Sequence, residues 1–434
     1  MKFGVLAAIA AALMISASPA VALTPPARAA ALDHIANLIA KNYVFKDKAA
    51  AIAKEVRGWK HDPDIRKLSD ERRFASLLME RLRQHDRHFA VNWTPPQAHS
   101  GTEPGSEADQ DRQNNFGFDK VERLAGNIAY IRLSYFCDFD TSLTGDKMPA
   151  ARKTAEAALA LVANSDAVIF DLRRNGGGSP AMIDLVLAAF FGDQPVLLNR
   201  FYDRAGDKTE DFTTLANFTG LKRPAVPLFV LISGRTASAA EEFSYDVKTQ
   251  KRGLIVGETS YGGANPGGDF DAGGGFSVFI STGTAINPIT GKNWEGVGVE
   301  PDITVPASDA LARAHAEALR LVIAKAKPGA DITEMRWALE QAEAEAKPPA
   351  MAPLTDFVGL YSDRTVTVKD GALYYSRPRA AAFKLIALST DTFGLAESPD
   401  ARLIFKRDSA GHVDSVTLAD ASGGMVVFGR KVDR

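Results

Sequence analysis

The stretch VPLFVLISGRTASAAEEF, residues 226–243, runs from an apolar segment into a helical one, with Ser238 at the corner. The run VPLFVLIS is the length of a buried strand and too short for a helix. ASAAEEFSYDVKTQ (237–250) then takes up helical spacing. Ser238 followed by Glu241 fits a capping box, in which the serine caps the helix and the glutamate reaches back. The same corner places a hydroxyl at the carboxyl end of a sheet strand, where α/β proteins keep their sites. The next amide, that of Ala239, points along the helix dipole toward any developing negative charge. Taken alone, the stretch permits both a cap and a nucleophile.

Outward from this corner the pattern repeats. GNIAYIRLSYF (126–136), DAVIFDLR (166–173) and LIVGE (254–258) read as further strands. MPAARKTAEAALALVA (148–163) and PAMIDLVLAAFF (180–191) read as helices, the second opening with Pro180 at a position where proline fits. Strands that are apolar almost throughout, alternating with helices, predict a largely parallel sheet buried on both faces. Segment 306–347 is again helical. Upstream, Leu32, Ile35, Leu38 and Ile39, and then Phe74, Leu77, Leu78 and Leu82, recur at helical spacing. Residues 94–115, rich in Pro, Gly and charge, read as a linker or loop. Beyond PPAMAPL (348–354), short alternating runs with Asp370-Gly371 and Ala410-Gly411 turns predict a small antiparallel β domain, a sandwich or barrel. Stretches 202–222 and 259–275 read as cleft loops. The expected division is a signal peptide (1–22), a helical domain (23–95), a linker (96–115), an α/β core (116–347) and a C-terminal β domain (350–434).

A chain of 434 residues exceeds one ordinary core. Its 46% apolar and 24% charged content is that of a globular protein, and a net charge of -2 gives no argument for nucleic acid or an anionic membrane. MKFGVLAAIAAALMISASPAVALT combines a lysine, a short apolar run and an Ala20-Val21-Ala22 motif. It predicts a secretory signal cleaved near Ala22 and a mature protein in the periplasm or outside the cell. No later stretch is long enough for a membrane span. Cys137 is the single cysteine. With one thiol and no histidine cluster, neither a disulfide nor a zinc or iron site is expected, and no cofactor.

A second corner, Asp171-Leu172-Arg173-Arg174-Asn175-Gly176-Gly177-Gly178, also lies between strand and helix. Consecutive glycines let the backbone approach a ligand closely. No Gly-Lys-Ser/Thr follows, which disfavours a nucleotide loop. In order along the chain, VIFDLRRNGGG, LISGRTASAAEEF, LIVGETSYGGANPG and INPITGKNWEGVGVEPDI resemble the S41 serine peptidases. That family includes C-terminal processing proteases, the tricorn core protease and interphotoreceptor retinoid-binding protein. The resemblance runs from about Gly126 to Pro306. It implies a ClpP/crotonase-like core, with Ser238 as nucleophile and Gly177 and Ala239 as oxyanion amides.

Serine needs a base. Where the processing proteases carry a lysine, this chain has Ser260-Tyr261-Gly262-Gly263-Ala264-Asn265, so a serine–lysine dyad is disfavoured. The tricorn-like branch uses histidine, and Asp86-Arg87-His88 resembles its Asp-x-His segment, although Arg87 stands where those members have serine. His88 is therefore the expected base, with His85 as fallback. Glu295, in Trp294-Glu295-Gly296-Val297-Gly298, matches the family carboxylate and would orient His88. The linker is too short for a PDZ domain of about 85 residues, within the usual domain range. The resemblance thus implies an exported serine endopeptidase acting on peptide or unfolded protein. The alternative is a catalytically weak or inactive relative that binds hydrophobic ligands. A third possibility is an esterase or β-lactam-related hydrolase.

Overall fold

The computed structural model describes residues 23–95, 107–139 and 149–431. The secretory-signal reading of residues 1–22 lies outside the described residues, among which no helix is long and apolar enough to cross a membrane. The chain forms two compact units. One takes residues up to Ser100 together with Gly267–Thr282; the other takes Gly101–Pro266 with Gly283–Arg434.

The first unit is built on the helices Pro25–Asn42, Lys46–Gly58 and Glu71–Leu82. Thr24 caps the first through its side chain, with Pro25 at the opening position, and Asp70 caps the third by accepting from the Arg73 amide. Leu32, Ile35 and Ile39, Ile52 and Val56, and Phe74, Leu78 and Leu82 turn inward and are buried. Against them lies a three-stranded antiparallel sheet in which Phe276–Ser281 is central, paired to Ala90–Trp93 on one side and to Gly267–Gly273 on the other. The Phe74 ring meets Phe276 edge-on at 5.4 Å. Part of the expected loop 259–275 is therefore a strand. Its residues, GGDFDAG, lie at a sheet edge with few apolar side chains to advertise them.

The second unit centres on six strands in the order Ile303–Thr304, Leu254–Gly257, Leu228–Ile232, Ala167–Asp171, Ile128–Leu133 and Phe118–Leu124. All pairings are parallel except the last, which is an antiparallel hairpin. Period-two alternation assigns Val168, Phe170, Val230 and Ile232 to one face, packed with the helices Pro149–Leu161, Pro180–Ala188 and Ala239–Thr249. Ile169, Phe229 and Leu231 point the other way, onto the helices Ala310–Ala324 and Thr333–Ala346. Both faces are covered, which is why these strands read as continuous apolar runs. A smaller sheet, Lys208–Thr213, Leu197–Asp203 and Gly283–Ile286, occupies part of the expected loop 202–222. Within 96–115, Glu107–Gln113 is helical.

From Gly359 to Gly429, eight antiparallel strands follow one another in chain order. Bonds from the Ser362 amide to Gly429 and from the Lys431 amide to Leu360 bring the last strand back to the first, so the β segment is a nearly closed barrel rather than a sandwich. Phe357, Phe393 and Phe405 pack against one another inside it. The α/β core with an N-terminal helical part and a C-terminal antiparallel part agrees with the sequence expectation.

Candidate active site

Ser238 stands where the Leu228–Ile232 strand has ended and the Ala239–Thr249 helix begins. Its φ of 54° and ψ of -125° are not those of an ordinary helix cap, which sits in the extended region. A serine at positive φ on a strand-to-helix turn has the backbone of a nucleophile elbow, a strained corner that lifts the hydroxyl clear of the chain. Ser238 is solvent-exposed. The Ala239 amide, one of the donors that a helix start leaves without an internal acceptor, has no hydrogen-bond partner among the described residues.

Glu241, one turn into the helix, holds this corner in place. Its carboxylate accepts from the Ser238 amide at 2.9 Å, the Ser260 hydroxyl at 2.5 Å, and the Gly262 and Gly263 amides at 2.6 and 2.8 Å. Burial pushes its pKa up, and these four donors pull the other way. Glu295 secures the next residue of the same loop, accepting from the Ala264 amide at 2.8 Å, while Trp294 Nε1 donates to the Gly263 carbonyl. Two carboxylates thus clamp the loop 260–264.

The glycine loop lies against the serine corner. A Cβ placed on Gly177, whose φ is 117°, would stand 2.7 Å from Ser238 Cβ and 3.1 Å from Ser238 Oγ. Only glycine fits there. The Gly177 amide donates to Asn175 Oδ1 at 2.8 Å, whereas the Gly178 amide is without a partner among the described residues. Asn175 is fully buried and its Nδ2 makes no hydrogen bond among the described residues.

A cavity of about 260 Å³ opens beside Ser238, walled by Pro180, Phe201, Phe212, Pro266 and Trp294. Glu242 also lines it. This carboxyl belongs to an acidic group with the buried Asp246 and the half-buried Asp184. Burial pushes Glu242 up to about 8, and burial with the neighbouring Glu242 charge pushes Asp184 to about 8. Asp246 is raised for the same two reasons. Asn199 donates to Glu242 at 3.2 Å. The polar end of the cavity is therefore a carboxyl that burial biases toward its protonated form.

Of the expected site residues, Ser238, Gly177, Ala239 and Glu295 belong to the second unit and His88 to the first. Within its own unit His88 is firmly oriented. Its Nδ1 lies 2.8 Å from Asp86 Oδ1, which also accepts the His88 amide, and Asp86 Oδ2 accepts from the Ser281 hydroxyl. Burial opposes ionisation of Asp86, but these bonds hold its pKa below the ordinary value. An ionised Asp86 makes Nδ1 the protonated nitrogen and Nε2 the basic one. His85, the fallback, pairs instead with Glu55 at 3.0 Å. Sequence reasoning missed Glu242, Asn175 and the aromatic walls. Only the Asn-Gly-Gly-Gly run and the Glu-Glu pair hinted at them.

Residues 127–305 match the model of peptidase family S41. A carboxy-terminal-processing protease of Bartonella bacilliformis is 27% identical over 183 residues, covering 42% of this chain and 40% of that protein. A tail-specific protease of Haemophilus influenzae is 30% identical over 154 residues, covering 35% of this chain and 20% of that protein. The matches thus span less than half the length of these curated relatives. Among solved structures, a lipoprotein from Streptococcus agalactiae is 15% identical over 68% of this chain and 97% of its own, with a TM-score of 0.44. The photosystem II D1 C-terminal processing protease is 22% identical over 51% of this chain and 48% of its own, at 0.33.

Proposed function

We propose that the protein, whose residues 127–305 match the model of peptidase family S41, is an exported serine peptidase that cleaves peptide bonds through an acyl-enzyme. The observation that carries this reading is the strained corner: Ser238 at φ 54° followed by the unbonded Ala239 amide. His88 Nε2 takes the proton of Ser238 Oγ as the oxygen bonds to the substrate carbonyl carbon. The carbonyl electron pair moves onto its oxygen, which accepts from the amides of Ala239 and Gly177, the latter giving up Asn175 Oδ1. The imidazolium then passes its proton to the leaving amine as the C–N bond breaks. Water, deprotonated by His88, cleaves the ester in a second round. Asp86 keeps Nδ1 protonated, and Glu295 adds a carboxylate that stabilises the imidazolium.

The cavity beside Ser238, about 260 Å³ with aromatic and proline walls, would take an apolar side chain next to the scissile bond. A fluorophosphonate probe tests the reading. Wild type is expected to be labelled and Ser238→Ala not, and His88→Ala is expected to slow labelling and peptide turnover by about 10²–10⁴-fold. An unlabelled wild type that binds fatty ligands tightly would replace the peptidase with the binding protein.

A further inference from the structure

A second cavity, of about 450 Å³, lies at the carboxyl ends of the six-stranded sheet's inner strands and is lined by Arg132, Arg173, Arg174, Arg235, Asp171 and Glu258. Several of these charges are already matched. Asp171 accepts two bonds from the Arg173 guanidinium, at 2.9 and 2.6 Å, and one from the Tyr130 hydroxyl. Arg173 also donates to the Ala307 carbonyl and Arg132 pairs with Asp119 at 3.3 Å; Glu258 is a second carboxylate in the lining and, among the described residues, accepts only the Ala307 amide. Arg174 and Arg235 are left. Both are exposed, and neither has an ion-pair or hydrogen-bond partner for its guanidinium among the described residues.

These two arginines sit on the loops that build the catalytic corner. Arg174 precedes Gly177 by three positions and Arg235 precedes Ser238 by three. The loops are fastened to each other: Ser233 Oγ donates to the Arg173 carbonyl at 2.7 Å, Thr236 Oγ1 to Leu172 at 2.8 Å, and the Ala237 amide to Asn175 at 3.1 Å. Three residues of chain span at most about 10 Å, so the guanidiniums are rooted within that distance of the reacting centre. An extended peptide advances at the same pace per residue.

Resting on the peptidase reading, we propose that this cavity is a substrate subsite. Arg174 and Arg235 bind a carboxylate carried by the peptide about three residues from the scissile bond. Guanidinium suits this work because its planar fork pairs with a carboxylate through two bonds. The carboxylate comes either from an acidic side chain or from a free C-terminus.

The test is binding by full-length Ser238→Ala, which cannot turn substrate over. Fluorescein-labelled Ala/Val peptides carry one Glu at each position in turn, or Gln as its neutral match, with free or amidated C-termini. The expected result is that one Glu position, or the free terminus, binds about ten-fold more tightly than its neutral match at low salt, and less so at high salt. Adding Arg174→Gln and Arg235→Gln removes the preference, and Lys at both positions keeps part of it. Survival of the preference on amidation assigns it to the side chain, and its loss to the terminus. Equal affinities in the parent protein, a preference that survives the double Gln change, or no peptide binding at all would overturn the subsite. Labelling of wild-type Ser238 by the fluorophosphonate reports separately on the peptidase reading.

Discussion

Gly177 is the residue with the least freedom to change. Its φ of 117° is closed to side chains, and its Cβ position is occupied by Ser238. Gly177→Ala keeps the amide but pushes it and Ser238 apart, and on the proposed oxyanion role it is expected to lower kcat by up to about 10²–10³-fold, the loss seen when one such donor is taken away. The accompanying strain is expected to lower stability by about 1–3 kcal/mol. Steady-state kinetics with thermal unfolding checks both, and a variant turning over at the wild-type rate would remove Gly177 from the reacting centre. At this scale the sequence was partly legible. The glycine run and the serine corner stood out because their backbone demands restrict residue type. The Asn175 side chain on the Gly177 amide was not legible, since an asparagine in a turn has many partners available to it.

The Ala239–Thr249 helix does two jobs. It carries the exposed Ser238 at its start, next to the unbonded Ala239 amide, and it turns Glu242 and Asp246 into the protein interior near Asp184 of the Pro180–Ala188 helix. Burial pushes the Glu242 carboxyl up to about 8 in the folded protein, from an ordinary 4.5. Its folded state therefore holds a proton that the unfolded state has already released. The associated stability is complete below the unfolded value and is lost as pH rises through about 8. Glu242→Gln keeps the shape with a permanently neutral amide. Its melting temperature is expected to vary less than that of wild type between mildly acid and mildly alkaline pH. At the alkaline end it is expected to exceed wild type by about a few °C. Calorimetry across pH checks this, and parallel curves for the two proteins would count against a neutral Glu242. In the sequence this group was only a Glu-Glu pair on a helix, because the neighbour that raises its pKa is supplied by another helix.

At the scale of the molecule, the C-terminal barrel packs on the Thr333–Ala346 helix. Arg402 pairs with Glu340 at 2.7 Å and lies over the Trp337 ring at 4.2 Å. Removing residues 350–434 is expected to leave Ser238 labelling by the fluorophosphonate in place while lowering the melting temperature by about a few °C through exposure of that helix. Loss of labelling in a folded truncation would make the barrel part of the active unit. The sequence by itself determined the parallel sheet, its flanking helices, the barrel's antiparallel texture and the Ser238 corner. Each is a local pattern of burial or backbone restriction, written in adjacent residues. Tertiary structure alone decided that Gly267–Gly273 and Phe276–Ser281 join the first unit's sheet, that two carboxylates clamp the loop beside the serine, and which arginines remain unpaired. Those outcomes depend on which distant groups are brought within hydrogen-bonding distance, and no spacing along the chain encodes that.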